Sequence, residues 1–95
     1  MQIDKFIVLL KEVLNRAYEE EKNEKSLWSL EQIHSVIEEM TQLLSYAEQG
    51  KIFFKYGKKQ RMLNSTYILT DTYNLDSTLL GKKISALQAQ YDKLI

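Results

Sequence analysis

The chain of 95 residues has no cysteine and no proline, only three glycines and a single histidine. Without cysteine there can be no disulfide, zinc-thiolate site, iron–sulfur ligation or thiol catalysis, and the composition fits a reducing compartment. Without proline, and with so few glycines, nothing in the composition interrupts long helices. Long apolar runs are missing as well. The longest, Phe6 to Leu10, falls far short of the roughly 20 residues that span a bilayer. The first residues read neither as a basic leader nor as a small-residue cleavage site, so the expectation is a cytoplasmic protein. Asn64-Ser65-Thr66 matches a glycosylation acceptor, and with no export signal beside it that match reads as accidental.

Hydrophobic residues make up 44% of the chain, too many for intrinsic disorder, so folding is expected. The length fits one domain over residues 1–95, and a chain of this size buries only about 60–65% of the surface it exposes when unfolded. Net charge is zero, but the charges are segregated. Residues 1–50 carry five Lys/Arg against ten Asp/Glu, and residues 51–95 carry eight against three.

Ile3, Phe6, Ile7, Leu10, Val13, Leu14, Ala17 and Tyr18 follow the i, i+3, i+4, i+7 spacing of one helical face, which predicts a first helix over roughly 3–22. Val8 and Leu9 widen the stripe for one turn, and burial on two sides is the expectation there. Glu19 to Ser26 is polar and aperiodic, as in a frayed helix end with a loop. Ser29 with Gln32 three residues later then spells a capping box, and Trp28 stands where a hydrophobic staple would pack on Ile33. A second helix over 29–49 follows, with Leu30, Ile33, Val36, Ile37, Met40, Leu43, Leu44 and Ala47 as its stripe. Gly50 is placed to end it in the left-handed conformation.

Residues 51–57 allow two readings. Ile52, Phe54 and Tyr56 alternate as in a strand, yet Ile52, Tyr56, Leu63 and Tyr67 share one helical face, and Phe54, Met62, Leu69 and Tyr73 share a neighbouring one. A lone strand would have no partner, so a third helix over 52–74 is the reading adopted, with Gly57 kinking or dividing it. A fourth over 77–94 is signalled by Asp76 as cap, Leu75 as staple to Leu80, and the face Leu80, Ile84, Leu87, Tyr91 and Leu94. Gly81 inside it suggests close approach by another helix. Four amphipathic stretches with short connections give an all-α fold, an antiparallel four-helix bundle.

Little in the chain has the pattern of catalysis. Glu31-Gln32-Ile33-His34 has the Glu-x-x-His spacing of di-iron bundles, but such a site needs the pair twice plus further glutamates. The structural reading is a boundary histidine able to pair with Glu38 one turn on. No Gly-x-Ser-x-Gly elbow is present, and Gly81-Lys82-Lys83 lacks the rest of a phosphate-binding loop. The reading is a non-enzyme with no cofactor and no metal.

The segment with the most distinctive chemistry is 51–61, which packs five cationic side chains and three aromatics into eleven residues. Lys51, Phe53, Phe54, Lys55, Tyr56, Lys58, Lys59 and Arg61 are the candidate partner-binding residues. The cations could hold phosphates while the rings stack on the bases of single-stranded nucleic acid. The same set could lie on an anionic membrane surface. Structurally, the rings would be core, with the lysine stems lying over them. The neutral net charge argues against nucleic acid as the main partner.

The C-terminal Gln88-Ala89-Gln90-Tyr91-Asp92-Lys93-Leu94-Ile95 resembles, from Asp92 to Ile95, the Ser-Gln-x-Leu-Asp-x-Leu-Ile signature of small two-helix phosphatases that act on aspartyl-phosphate in sporulation signalling. Gln88 and Ala89 replace the Ser and Gln of that signature, so the activity does not carry over. In size, lack of cysteine and four-helix patterning, the whole chain is similar to the small immunity proteins that protect bacteria from their own pediocin-like bacteriocins. That resemblance implies a non-catalytic protein that acts by binding near the inner face of the membrane. The expectation is therefore a small binding module with a protein partner, of bacteriocin-immunity or toxin-blocking type, able to touch the inner membrane surface. The alternative is a small regulator that binds nucleic acid through 51–61. The opposite charges of the two halves also favour association of two copies into a homodimer.

Overall fold

A computed structural model of the protein describes residues 2–50 and 62–94, and within them four α-helices account for nearly all of the regular structure. They are α1 (Gln2–Lys22), α2 (Leu30–Glu48), α3 (Asn64–Asp71) and α4 (Leu79–Lys93), with a turn of 3₁₀ helix at Leu75–Ser77. The protein is an all-α helical bundle.

The stripes read from the sequence form its core except at their ends, where Tyr18 of the first and Leu30 of the second are exposed. Phe6, Leu10, Val13, Leu14 and Ala17 of α1 are buried with Ile33, Val36, Met40, Leu43 and Ala47 of α2 and with Leu80, Ile84, Leu87 and Tyr91 of α4. Val8 departs from expectation. It is 55% exposed, while Leu9 packs against the core, so the widened stripe has one outward side chain and not two buried ones.

Side-chain contacts give the sense of each helix. The Phe6 ring, early in α1, lies 6.0 Å from that of Tyr91, late in α4. Gln32, at the start of α2, reaches Thr72, just past the end of α3, and Glu39, further along α2, reaches the start of α3. Adjacent helices are thus antiparallel. Among the described residues, α1 and α3 each pack on α2 and α4, and the pairs α1–α3 and α2–α4 lie across the diagonals. One end of the bundle gathers the finish of α1, the start of α2, the finish of α3 and the start of α4. Both helices that begin there are closed by hydroxyl caps, so it is called the capped end below.

At α2 the local chemistry is as the sequence predicts. Ser29 is the cap, its hydroxyl oxygen accepts the Gln32 N–H at 3.1 Å, and the Gln32 Oε1 accepts the Ser29 N–H at 2.9 Å. Gly50 takes φ 77°, the left-handed termination expected of it.

The second half of the chain differs from expectation in three places. First, the third helix begins at Asn64 and ends at Asp71, not at 74, and Leu63 is extended with φ −66° and ψ 148°; residues 52–61 of the expected helix lie outside the described ones. The start is fixed by side chains of other helices that take up the first free N–H groups. Its finish is followed by extended Thr72 and by Asn74 at φ 69°, a conformation asparagine tolerates. Second, α4 begins at Leu79 under Thr78, not under Asp76. Asp76 lies inside the 3₁₀ turn, and the Thr78 hydroxyl accepts the Gly81 N–H at 3.0 Å. Third, the close approach at Gly81 comes from the backbone of that same turn and not from another helix. A Cβ on Gly81 would stand 2.0 Å from the Leu75 carbonyl oxygen. Leu75 points inward and is buried, so the turn cannot move out without uncovering it.

Candidate functional site

All eight partner-binding candidates of the basic-aromatic segment, Lys51, Phe53, Phe54, Lys55, Tyr56, Lys58, Lys59 and Arg61, lie outside the described residues. The other sequence candidate, Glu31 and His34, is placed. His34 does not pair with Glu38; its Nε2 lies 2.6 Å from a carboxylate oxygen of Glu21 near the end of α1. The i+4 partner loses to one presented across the interface between helices. Among the described residues no three His, Asp or Glu side chains are grouped to hold a metal ion, and no helix is long and apolar enough to cross a membrane.

Two polar braces do most to position the surface. The first holds α3. Glu39 of α2 accepts the backbone N–H groups of Asn64 at 2.7 Å and Ser65 at 2.9 Å, and the Ser65 hydroxyl at 2.7 Å. From α4, the Gln88 carbonyl oxygen accepts the Leu63 N–H at 2.9 Å and the Thr66 hydroxyl at 2.8 Å, while its amide donates to Asp92. An eight-residue helix is too short to persist alone, so α3 owes its existence to these two residues and to the burial of Leu63 and Leu69. A carboxylate at a helix N-terminus also meets the positive end of the macrodipole. Glu39→Ala is expected to cost about 2 kcal/mol, since it strands donors that had a charged acceptor, and Glu39→Gln less, because one acceptor oxygen remains. Thermal unfolding followed by circular dichroism checks both, and equal melting temperatures for Glu39→Ala and the parent would remove this brace from the account.

The second brace shapes the capped end. Arg16 places one guanidinium nitrogen 2.7 Å from the buried carboxylate of Glu20 and the other 2.9 Å from Glu19. The Ser26 hydroxyl donates to Glu20 at 2.8 Å and accepts the Trp28 N–H at 3.1 Å. This chain of bonds turns the backbone so that Trp28 enters the core at the bundle's end, where its indole N–H donates to the Thr78 hydroxyl at 3.1 Å. Thr78 therefore accepts from Trp28 and Gly81 and donates to the Leu75 carbonyl, which is all that one hydroxyl can do. Gln32, third residue of α2, ties the same end a second time by donating its side-chain amide to the Thr72 hydroxyl at 3.1 Å.

These bonds fix the neighbours of the bonded residues at the surface. Leu27 precedes Trp28 and Leu79 follows Thr78; Leu30 lies between Ser29 and Gln32, and Tyr73 follows Thr72. All four are exposed, Tyr73 at 90%. They are half of the eight large hydrophobic side chains that stand exposed among the described residues, so their gathering at one end is not the ordinary scatter of surface leucines. Beside them, between α3 and the start of α4, lies an open groove of about 630 Å³. Leu69 forms its floor, and Thr66, Thr70, Ser85, Tyr73 and Asp76 stand around it. Charges of both signs surround these side chains: in residues 16–31 and 71–82 Arg16 holds Glu19 and Glu20 and His34 meets Glu21, which leaves Glu24, Glu31, Asp71 and Asp76 beside Lys22, Lys25 and Lys82.

Sequence reasoning reached Ser29, Gln32 and Trp28 but missed Glu39, Gln88, Glu20 and Thr78. The partners of Glu39 and the two groups that Gln88 accepts from lie 22 to 26 residues away, beyond the reach of any local pattern, whereas Thr78 caps Gly81 three residues on and Glu20 meets Arg16 one turn back, local signals that were passed over. The two serine–carboxylate pairs, Ser26 with Glu20 and Ser65 with Glu39, are part of the braces, and what the arrangement presents outward is a braced, partly apolar face. Set against known proteins, the chain matches no protein-family model, no curated protein and no solved structure.

Proposed function

We propose that this chain is a small binding module that acts without catalysis by engaging a protein partner, with blocking of a toxin, as in bacteriocin immunity, as its most concrete form. The observation that carries the reading is the capped end, where large apolar side chains stand exposed on a frame braced by hydrogen bonds. A loop that merely tolerated leucines would not need the Glu20–Ser26–Trp28–Thr78 chain of bonds. Surface apolar groups held this way lose little conformational freedom on binding, which favours affinity.

Expression of the chain in strains killed by membrane-active bacterial peptide toxins tests it. Protection against one toxin is expected, and Leu27→Ser/Leu79→Ser is expected to abolish protection while helix content by circular dichroism and melting temperature stay near the parent's, since exposed substitutions usually cost less than about 0.5 kcal/mol. Protection that survives the double substitution would move the binding face elsewhere. Failure to protect against any member of the panel counts against the toxin-blocking form.

A further inference from the structure

We infer that the capped end pairs with a second copy of this chain, end to end about a two-fold axis that sets Leu27 and Leu30 of each copy against Tyr73 and Leu79 of the other. The inference goes beyond the binding-module reading. It gives this surface an occupant before any other protein arrives, so that an outside partner has to displace the copy.

The end is built from two alike halves. Each of its helical hairpins has a hydroxyl cap with an exposed leucine directly after it, Ser29 with Leu30 and Thr78 with Leu79, and each adds one more large exposed side chain, Leu27 and Tyr73. The Trp28–Thr78 and Gln32–Thr72 bonds hold the two hairpins side by side. At exposures of 51% to 90% the four side chains show on the order of 400 Å² of apolar surface, the scale at which a patch marks an interaction site. The bundle measures 37 × 22 × 20 Å, so the whole end face stays below the roughly 800 Å² per partner of a standard interface, and the dimer it forms is weak and reversible.

Charge selects a copy and its orientation. Seven exposed charges surround the apolar side chains, Lys22, Glu24, Lys25 and Glu31 on the first hairpin and Asp71, Asp76 and Lys82 on the second. The one carboxylate in excess is offset by the positive ends of α2 and α4, which open on this face. Signs so nearly balanced give no field to draw in a strongly charged partner, while a chain of zero net charge does not repel its own copy. An isologous interface pairs residue i with j and j with i. Second hairpin on second hairpin would crowd Asp71 and Asp76 of both copies around Lys82. The crossed arrangement instead gives Asp71 and Asp76 the Lys22 and Lys25 of the other copy, and gives Lys82 its Glu24 or Glu31.

The test is sedimentation of the full chain up to about 1 mM, a concentration high enough to populate a weak dimer. Average mass is expected to climb from 11.2 kDa toward twice that value, and Leu27→Ser/Leu79→Ser to hold it at the monomer's while circular dichroism stays unchanged. Charge exchange tests the orientation. Lys22→Glu/Lys25→Glu alone and Asp71→Lys/Asp76→Lys alone each set like charges across the crossed interface, so each is expected to dimerise at least tenfold more weakly than the parent. Mixed together they restore every pair, and a heterodimer of the parent's affinity is expected. A chain that stays monomeric at about 1 mM would overturn the inference and leave the leucines to a different protein or to a lipid surface. So would a dimer that survives the leucine double substitution, or charge variants that pair no better mixed than apart. Dimers without protection of any cell leave this inference standing and sink the toxin-blocking reading; protection through Leu27 and Leu79 by a chain that stays monomeric does the reverse.

Discussion

Gly81→Ala is expected to lower the melting temperature by about 10–20 °C, although alanine is the better helix former by about 1 kcal/mol. The sign follows from geometry. The added Cβ would lie 2.0 Å from the Leu75 carbonyl oxygen and 3.0 Å from its carbonyl carbon, and both belong to backbone, which cannot rotate aside as the tip of a long side chain can. Either α4 or the Leu75–Ser77 turn must shift. A shift of the turn pulls on buried Leu75 and on the Thr78 hydroxyl, whose three hydrogen bonds cap α4 and hold Trp28. Overpacking of this kind costs about 3 kcal/mol, which outweighs the gain in propensity. Differential scanning calorimetry of the two proteins decides it, and an alanine variant as stable as the parent would show that the turn moves freely.

Trp28→Ala is expected to have the larger effect, a loss of about 3–5 kcal/mol, because it removes a buried aromatic side chain that lies against the core at the capped end. A domain of this size has only about 5–15 kcal/mol to lose, so a sizeable unfolded fraction at 37 °C is expected. Trp28→Phe separates packing from hydrogen bonding. It keeps most of the apolar area and loses only the indole N–H bond to Thr78, for about 1 kcal/mol. Urea unfolding followed by circular dichroism measures both, since Trp28 is the chain's only tryptophan and no indole fluorescence survives either substitution. Two variants of equal stability would mean that the ring's size is irrelevant and that the capped end is not organised around it.

The first half of the fold was legible because its determinants are local. The periodicity of α1 and α2 repeats over five turns or more, Ser29 and Gln32 answer each other across three residues, and Gly50 ends α2 where a left-handed residue is needed. The second half was legible only in part, because its boundaries are set from afar. Nothing near Leu63 announces a helix start; Glu39 and Gln88 impose it from 25 positions away on either side. Asp76 is a good cap by residue type, yet the cap is Thr78, and Gly81 at the third helical position leaves no side chain there to complete a capping box and betray it. The site divides the same way. The chemistry of Lys51 to Arg61 is plain in composition, and its structure is outside the described residues. The apolar face was hidden because Leu30 fits the stripe of α2 by spacing but sits at its first turn, beyond the flank of any neighbour, where helical period no longer predicts burial.

The Phe6–Tyr91 contact has a consequence for how the chain can be attached to anything else. Since the start of α1 and the finish of α4 run side by side, Gln2 and Leu94 leave the bundle together, from the end opposite the exposed leucines. A tether at either terminus, whether a surface, a fluorescent label or a neighbouring polypeptide, therefore holds the molecule with its apolar face pointing away. The same proximity allows the two termini to be joined by a short linker and the chain reopened at an exposed turn such as Asn23–Lys25, giving a permuted protein of unchanged packing.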